Sequence, residues 1–472
     1  MSDKPLPPVA VNRRAFLHGA LSMAALAGCT STALVKKQAM PMEEINVSAP
    51  FAMPTLRIPD FSGRPSYRIT DFGARPDDKV VNGKAIHRAI ALASENGGGT
   101  VVIPRGEWLT GKIHLQSHVN LHLEEGAVLL FSEDPADYLP AVKTTWEGME
   151  CYNYSPLIYA YGCDNIAITG KGTLKARLDV WEVWYGRPEP HMDALAELYH
   201  MAAKGVPVQE RQMAYEGANL RPHFVQFNRC RHVLVEGISI ENSPFWVLHP
   251  FLSKDVVIRG VSVHAHGHNN DGVDPEMTQN MLIENCTFDQ GDDAIAVKSG
   301  RNQDAWRLNR PAKNIVMRHC RIKQAHQLLA VGSELSGGVE NILVEHCQFD
   351  DGTEYAGTGN LVFIKTNERR GGFVRNITVR DVTAVALEGG ALSIATDVLY
   401  QWRDLVPTYE RRLTPIEGIT LENIRIEQAR YLCKINGQQA LPVKDVTLNN
   451  VRADQLKEAA IQNTHVVPFQ HR

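Results

Sequence analysis

The chain lacks a strong charge of either sign: 49 Lys and Arg face 53 Asp and Glu, a net of −4 over 472 residues. That balance argues against nucleic acid as a partner and leaves any polyanionic ligand to be met by local charge. Long apolar runs are missing too. The one near the start, within NRRAFLHGALSMAALAGC (Asn12–Cys29), is too short to span a bilayer and reads as an export signal. Arg13 and Arg14, with Phe16-Leu17 behind them, resemble a twin-arginine signal. Leu26-Ala27-Gly28-Cys29 resembles a lipoprotein cleavage box, which would anchor the protein to a membrane through a lipidated Cys29. Residues 1–29 are therefore expected to direct export to the periplasm or cell surface. Residues 30–65, rich in Pro, Ser, Met and Ala, read as a tether and irregular chain.

Helical periodicity is also scarce, and a shorter repeat takes its place. Segments beginning Asn/Asp/His-apolar-x-apolar recur: HVLVEGISI from His232, DVVIRGVSV from Asp255, NMLIENCTF from Asn280, NIVMRHCRI from Asn314 and NILVEHCQF from Asn341. NITVRDVTA from Asn376, GITLENIRI from Gly418 and DVTLNNVRA from Asp445 continue the series. Successive starts lie 23, 25, 34, 27, 35, 42 and 27 residues apart, a base period with loop-sized insertions, as in a solenoid. Period-two alternation and abundant Val and Ile make each unit a pair of short strands, so the expected fold is an all-β, single-stranded parallel β-helix. Its catalytic domain is expected over residues 66–460, with a tail at 461–472. Cys286, Cys320 and Cys347 share one place in successive repeats and read as a buried, unbridged stack.

One helix stands out. Ala85, Ile86, Ala89, Ile90 and Ala93 share a face, with Asn82 as N-cap and glycines at 97–99 as a stop. It suits an N-terminal cap on the exposed strand edges of the first coil. The stretch 177–219 breaks the repeat and holds Trp181 and Trp184. Its aromatics favour a packed lid over a disordered insertion.

Equal phase on successive coils means vertical neighbours about 4.7–4.9 Å apart. Asp292 lies twelve residues after Asn280, and His326 twelve after Asn314. Asp271 sits one coil earlier and Lys365 follows His326 beyond an insertion. Asp271, Asp292, Asp293, His326 and Lys365 are thus expected on one patch. Such a set of carboxylates suits glycoside hydrolysis, where one carboxyl stays protonated as an acid and another, ionised, activates water or attacks carbon. His264, His266 and His268 alternate onto one strand face, but no partnered ligand set follows in the sequence, and no calcium-loop spacing occurs. The reading calls for no metal and no cofactor.

At these residues the sequence resembles glycoside hydrolase family 28, the polygalacturonases and related pectin hydrolases. Asn269-Asn270-Asp271-Gly272-Val273-Asp274, Gly291-Asp292-Asp293, Ala325-His326-Gln327 and Phe363-Ile364-Lys365 stand where that family has four ordered motifs. DFGARPDD, GGGTVVIPRGEWLTG and NSPFWVLHP extend the likeness over roughly residues 67–455. The resemblance implies a right-handed β-helix and a pectic poly- or oligosaccharide substrate. It implies Asp292 as general acid, Asp271 and Asp293 as the groups that activate water with inversion, and His326 as the group that tunes the acid. Lys365 would pair with a uronate carboxylate, and Asn269 and Lys298 would contact substrate.

Two departures bear on the substrate. Phe363 replaces an arginine that would hold a carboxylate bidentately, so Arg301, Arg369 or Arg370 must supply the second contact or the sugar differs. Ala325 and Gln327 replace glycines around His326. The readings that compete with a polygalacturonase are a rhamnogalacturonan-type hydrolase, a polysaccharide lyase and a non-catalytic carbohydrate-binding β-helix. The insertion at 177–219 favours exo action.

Overall fold

The computed structural model describes residues 39–77, 81–352, 359–399 and 410–472. The export signal, its twin arginines and Cys29 lie outside the described residues. From residue 66 onward strands pair in parallel, each rung lying on the next, except for one antiparallel hairpin, Val142–Trp146 with Met149–Asn153. A 21-stranded sheet forms most of the wall, and the face that bears the candidate site is built from a four-stranded and a six-stranded sheet.

The repeat's first residue has a conformational reason. His232, Asp255, Asn280, Asn314, Asn341, Asn376 and Asp445 all have φ between 52° and 61°, and Gly418 has φ 71°. Asn, Asp and Gly tolerate this left-handed turn best, which is why the register letter recurs. The side chains then bond from rung to rung: the Nδ2 of Asn280 donates to Asp255 at 2.9 Å, Asn314 to Asn280 at 3.0 Å and Asn341 to Asn314 at 2.9 Å. Inside, the apolar residues of every rung form one continuous core, with Cys286, Cys320 and Cys347 buried in it as free thiols.

Helix α1 (Gly83–Glu95) buries the expected face against Ile113, Leu115 and Val119 of the first coils. Asn82 stands at its N-cap position but does not cap it. Its side chain instead accepts from the Arg75 amide at 2.8 Å and donates to the Arg75 and Leu109 carbonyls, tying the helix entry to the first coil.

Two boundaries differ from the sequence reading. Residues 42–59 are no tether: Met42–Ile45 and Leu56–Pro59 form an antiparallel hairpin. Leu56 and Ile58 cover a stripe of outward-facing Ala167, Leu234, Val257, Leu282, Val316 and Leu343. That stripe explains why the middle residue of each strand is apolar although it points away from the core. Arg259 clamps the hairpin through both oxygens of Glu43, at 3.0 and 3.1 Å. At the other end, Ile461–Thr464 and Phe469–His471 pair with the preceding rungs, so the solenoid runs on through what read as a tail.

The insertion is packed. Helix α2 (Glu189–Ala203) buries Leu195, Leu198 and Tyr199 in a second core with Trp146, Met149, Phe245 and Trp246. Trp181 is buried edge-on against Tyr138 and Tyr154 and offers no platform to a ligand, and the Trp184 side chain lies outside the described residues.

Candidate active site

The site lies where the two sheets of that face meet. The strand Leu248–Phe251 ends one sheet and Ile295–Val297 begins the other; between them Asp271–Glu276 runs through with only isolated bridges at Val273 and Glu276. Pro275 cannot donate a ladder hydrogen bond, which suits an interrupted strand.

Backbone bonds stack the candidate residues rung on rung. The Gly272 amide donates to the Asp293 carbonyl at 2.9 Å, and the His326 amide donates to the Asp292 carbonyl at 2.9 Å. Gly291 makes the close approach possible, because a Cβ there would stand 2.8 Å from the Gly267 carbonyl oxygen. The turn it opens lets both neighbouring acids reach the cleft, the Asp293 amide donating to Asp292 Oδ1 at 3.0 Å.

The expected residues converge. Asn269, Asp271, Asp292, Asp293, Lys298 and Lys365 line one cleft. His326 stands behind it, its Nδ1 3.1 Å from Asp292 Oδ1. Lys365 donates to Asp293 Oδ2 at 3.2 Å. Lys298 is buried and reaches three carboxylates, Asp271 at 3.4 Å, Asp274 at 3.5 Å and Glu334 at 3.6 Å. Asn269 Oδ1 accepts from Arg221 at 3.0 Å, so its amide group stays turned to the cleft wall by a buried arginine.

Acid outnumbers base here. Five carboxylates line the cleft, Glu147, Asp271, Asp292, Asp293 and Glu334, against Lys298, Arg301 and Lys365. They cannot all ionise in a dry site. Burial, aided by Asp292, pushes Asp271 up to about 7. Burial and then Asp271 hold Asp274 well above the usual carboxylate range. Asp293 is also raised by burial, with Lys365 opposing. Asp292 goes the other way: burial would raise it, but His326, Lys365 and Lys298 outweigh that and hold it at about 2. His326 is raised in turn, burial being overcome by Asp292. In the ligand-free cleft the carboxyl expected to act as acid is therefore the one held ionised, with His326 raised beside it, while burial lifts Asp271, Asp274 and Asp293. The histidine on the next rung leads the groups that lower Asp292.

Three further groups were missed as site residues. Trp246 lies in the cleft with its ring 4.6 Å under Lys298. Glu147, from the Val142–Asn153 hairpin, binds Arg301 at 3.0 Å. Glu334 pairs with Arg301 and Lys298, which together hold its carboxyl well below the usual range against burial. Trp246 sits inside NSPFWVLHP, a stretch that resembles the family, and Glu334 lies eight residues beyond His326, whereas nothing periodic marks Glu147. Of the candidate replacements for the missing arginine, Arg301 lines the cleft but is engaged by two glutamates, and Arg370 is buried and donates to Asn302 at 3.0 Å. Phe363 places its ring 5.7 Å below Lys365.

Among the described residues, two groups have ligand atoms close enough to share an ion: His264, His266 and Asp289, and Asp292, Asp293 and His326. The histidine trio of the sequence splits. His264 and His266 pair with Asp289 on the outer face, whereas His268 lies near Arg221 and Asp292.

Comparison with known proteins agrees with this geometry. Residues 208–469 match the family model described as glycosyl hydrolases family 28. A probable polygalacturonase of Vitis vinifera is 29% identical over 322 residues, 65% of this chain and 58% of its own length. An exo-poly-alpha-D-galacturonosidase of Dickeya chrysanthemi is 26% identical over 294 residues, 57% of this chain and 48% of its own. This chain thus spans about half the length of these curated relatives. Among solved structures, the exopolygalacturonase of Thermotoga maritima superposes with a TM-score of 0.77 at 36% identity, covering 89% of this chain and 94% of that one.

Proposed function

The chain belongs to glycosyl hydrolase family 28, and on that premise we propose that it hydrolyses α-1,4-galacturonosyl linkages of pectic polysaccharide or its oligomers, releasing residues from a chain end with inversion. One observation carries the reading: Asp271, Asp292 and Asp293 share a buried cleft with two lysines, both within 3.6 Å of the acids. Carboxylates supply the acid and the base of glycoside cleavage, and the lysines supply charge for a uronate.

In the proposed reaction Asp292 protonates the leaving glycosidic oxygen. It is ionised before substrate arrives, and the proton sits 3.1 Å away on His326 Nδ1. An arriving uronate carboxylate neutralises Lys365, one of the three cations that hold Asp292 low. The His326 proton then moves to Asp292 as the carboxyl's affinity for it rises. Asp271 and Asp293 hold the water that attacks the anomeric carbon, and the ionised form of Asp271 takes its proton. Trp246, buried with its ring under Lys298, holds that ammonium toward the acids. Phe363 offers an aromatic face next to Lys365, in place of a bidentate arginine.

Exo action is supported by the relatives that bear that name and by the packed insertion, whose Tyr199 ring lies 5.1 Å from the Arg301 guanidinium at the cleft. A pectic substrate outside the cell fits an exported protein, and we extend the proposal to export through residues 1–29 with lipidation at Cys29. The test is to digest polygalacturonate under a chelator and size the products over time. Free galacturonate from the earliest points supports the reading. Release from rhamnogalacturonan alone would move the substrate assignment, and an ultraviolet-absorbing product would replace hydrolysis by elimination.

A further inference from the structure

The residue just before the left-handed turn of each repeat forms its own vertical ladder along one corner of the solenoid. On the C-terminal rungs its charges alternate: Glu340, Arg375, Glu417 and Lys444 are successive register partners, and Arg375 binds Glu340 at 2.9 Å. On the rungs that flank the acid cluster the same ladder reads Arg231, Lys254, Gln279 and Lys313, again in direct register, between Asp164 on the rung before and Glu340 on the rung after. Arg231 and Lys254 are like charges on neighbouring rungs and repel, a cost to the fold that an anion would relieve.

The run opens into a cleft of about 420 Å³ at the far end of the site-bearing strands, walled on one side by the end of α3 (Asn302–Leu308). Its cations are Arg229, Arg231, Lys254 and Arg310, and no carboxylate lines it. Arg229 is taken by Glu150 at 2.8 Å. Arg231, Lys254 and Arg310 are exposed and make no ion pair among the described residues. In a chain of net charge −4, three cations that make no ion pair among the described residues, in one cleft lined by no acid, are a local exception.

We propose that this cleft is a second binding site for a polyuronate chain, holding a carboxylate-bearing stretch of the polymer away from the bond being cut. Arg231 and Lys254 stand on adjacent rungs at the interstrand spacing of about 4.7–4.9 Å, and Arg310 faces the same cleft, so one stretch of chain can meet all three. The inference rests on the proposed substrate, since a linear polymer with a carboxylate on every unit is the ligand that such a group of cations fits.

The test uses the full-length Asp292→Asn protein, expected to cut too slowly to consume the ligand during a binding measurement, with and without Arg231→Gln and Lys254→Gln together. Binding of a long oligogalacturonate should weaken about fivefold in the variant, as expected for two exposed charge pairs. Galacturonate monomer, which occupies the acid cleft alone, should bind equally to both. In otherwise wild-type protein the same pair of changes should raise KM for the polymer and leave kcat unchanged. Equal affinity of both proteins for the long chain would overturn the proposal, as would competition by inorganic sulfate at matched ionic strength. If the wild-type enzyme cuts no galacturonan, the proposed activity fails while this binding comparison still decides the second site.

Discussion

Two buried ionic networks meet across helix α3, and they carry opposite ratios of acid to base. On one side, Glu150 takes Lys143, Arg229 and Arg307 at 3.1, 2.8 and 2.5 Å, and Asp304 takes the buried Arg211 at 2.6 Å. Two carboxylates meet four cations there, and Glu150 is held at about 2 although burial opposes its charge. On the other side, the cleft crowds five carboxylates around three cations, and Asp271 rises to about 7. Where only an anchor for a hairpin is needed, every acid is matched and fixed in charge. Where protons must move, acid is left in excess, and small changes of neighbour decide which carboxyl holds a proton.

The largest expected effect tests the acid-rich side. Asp292→Asn should lower kcat by about 10²–10⁴-fold, the usual span for a lost general acid, while the thermal midpoint stays near that of the parent. Arg307→Gln, on the matched side, should leave kcat unchanged. Full activity in the first variant, or collapse in the second, would erase the contrast. Next comes stability. Arg211→Met removes the buried partner of Asp304, leaving it only the half-exposed Arg307 at 3.4 Å, and should destabilise the fold by about 3 kcal/mol in denaturant titrations, with KM intact in the folded fraction.

A third test reads the proton inventory directly. Burial raises Glu276 to about 8, and its Oε2 lies 2.8 Å from His249, itself kept neutral by burial and Lys298. A carboxyl with a raised pKa stabilises the fold fully below its unfolded value and loses that contribution as pH rises through about 8. Glu276→Gln removes the titration, so the variant should gain on wild type by on the order of a few kcal/mol between the ordinary carboxylate range and alkaline pH. Parallel stability curves for the two proteins would show that Glu276 is ionised in the fold. The smallest effect concerns Lys365→Ala. It should cost about 10- to 100-fold in kcat/KM, as for a hydrogen bond to a charged group. Because Lys365 lowers Asp271 and Asp293, its loss raises both, and the acid limb of the pH profile should move to higher pH.

What the sequence made legible was local or vertical. The left-handed turn restricts its residue to Asn, Asp, His or Gly, so the repeat carries its own register mark, and counting twelve residues from that mark aligned Asp292 with His326. What it hid came from outside the repeat. Glu147 reaches Arg301 across 154 residues of chain, and no spacing rule links them. The hairpin at 42–59 is short and polar at its edges, and only the apolar stripe on the outer wall reveals what it covers. The protonation order of the acids was also beyond the motif, because it depends on which rung places a cation against which carboxyl.

The most direct measurement follows the anomeric proton of the first product by nuclear magnetic resonance while an oligogalacturonate is digested. Wild-type protein should release the β-anomer before mutarotation sets in, and Asp292→Asn protein should release it about 10²- to 10⁴-fold more slowly. A first product of retained configuration, or fresh reducing ends from the Asp292→Asn protein at the parental rate, would contradict a stack of acids that cuts by direct attack of water.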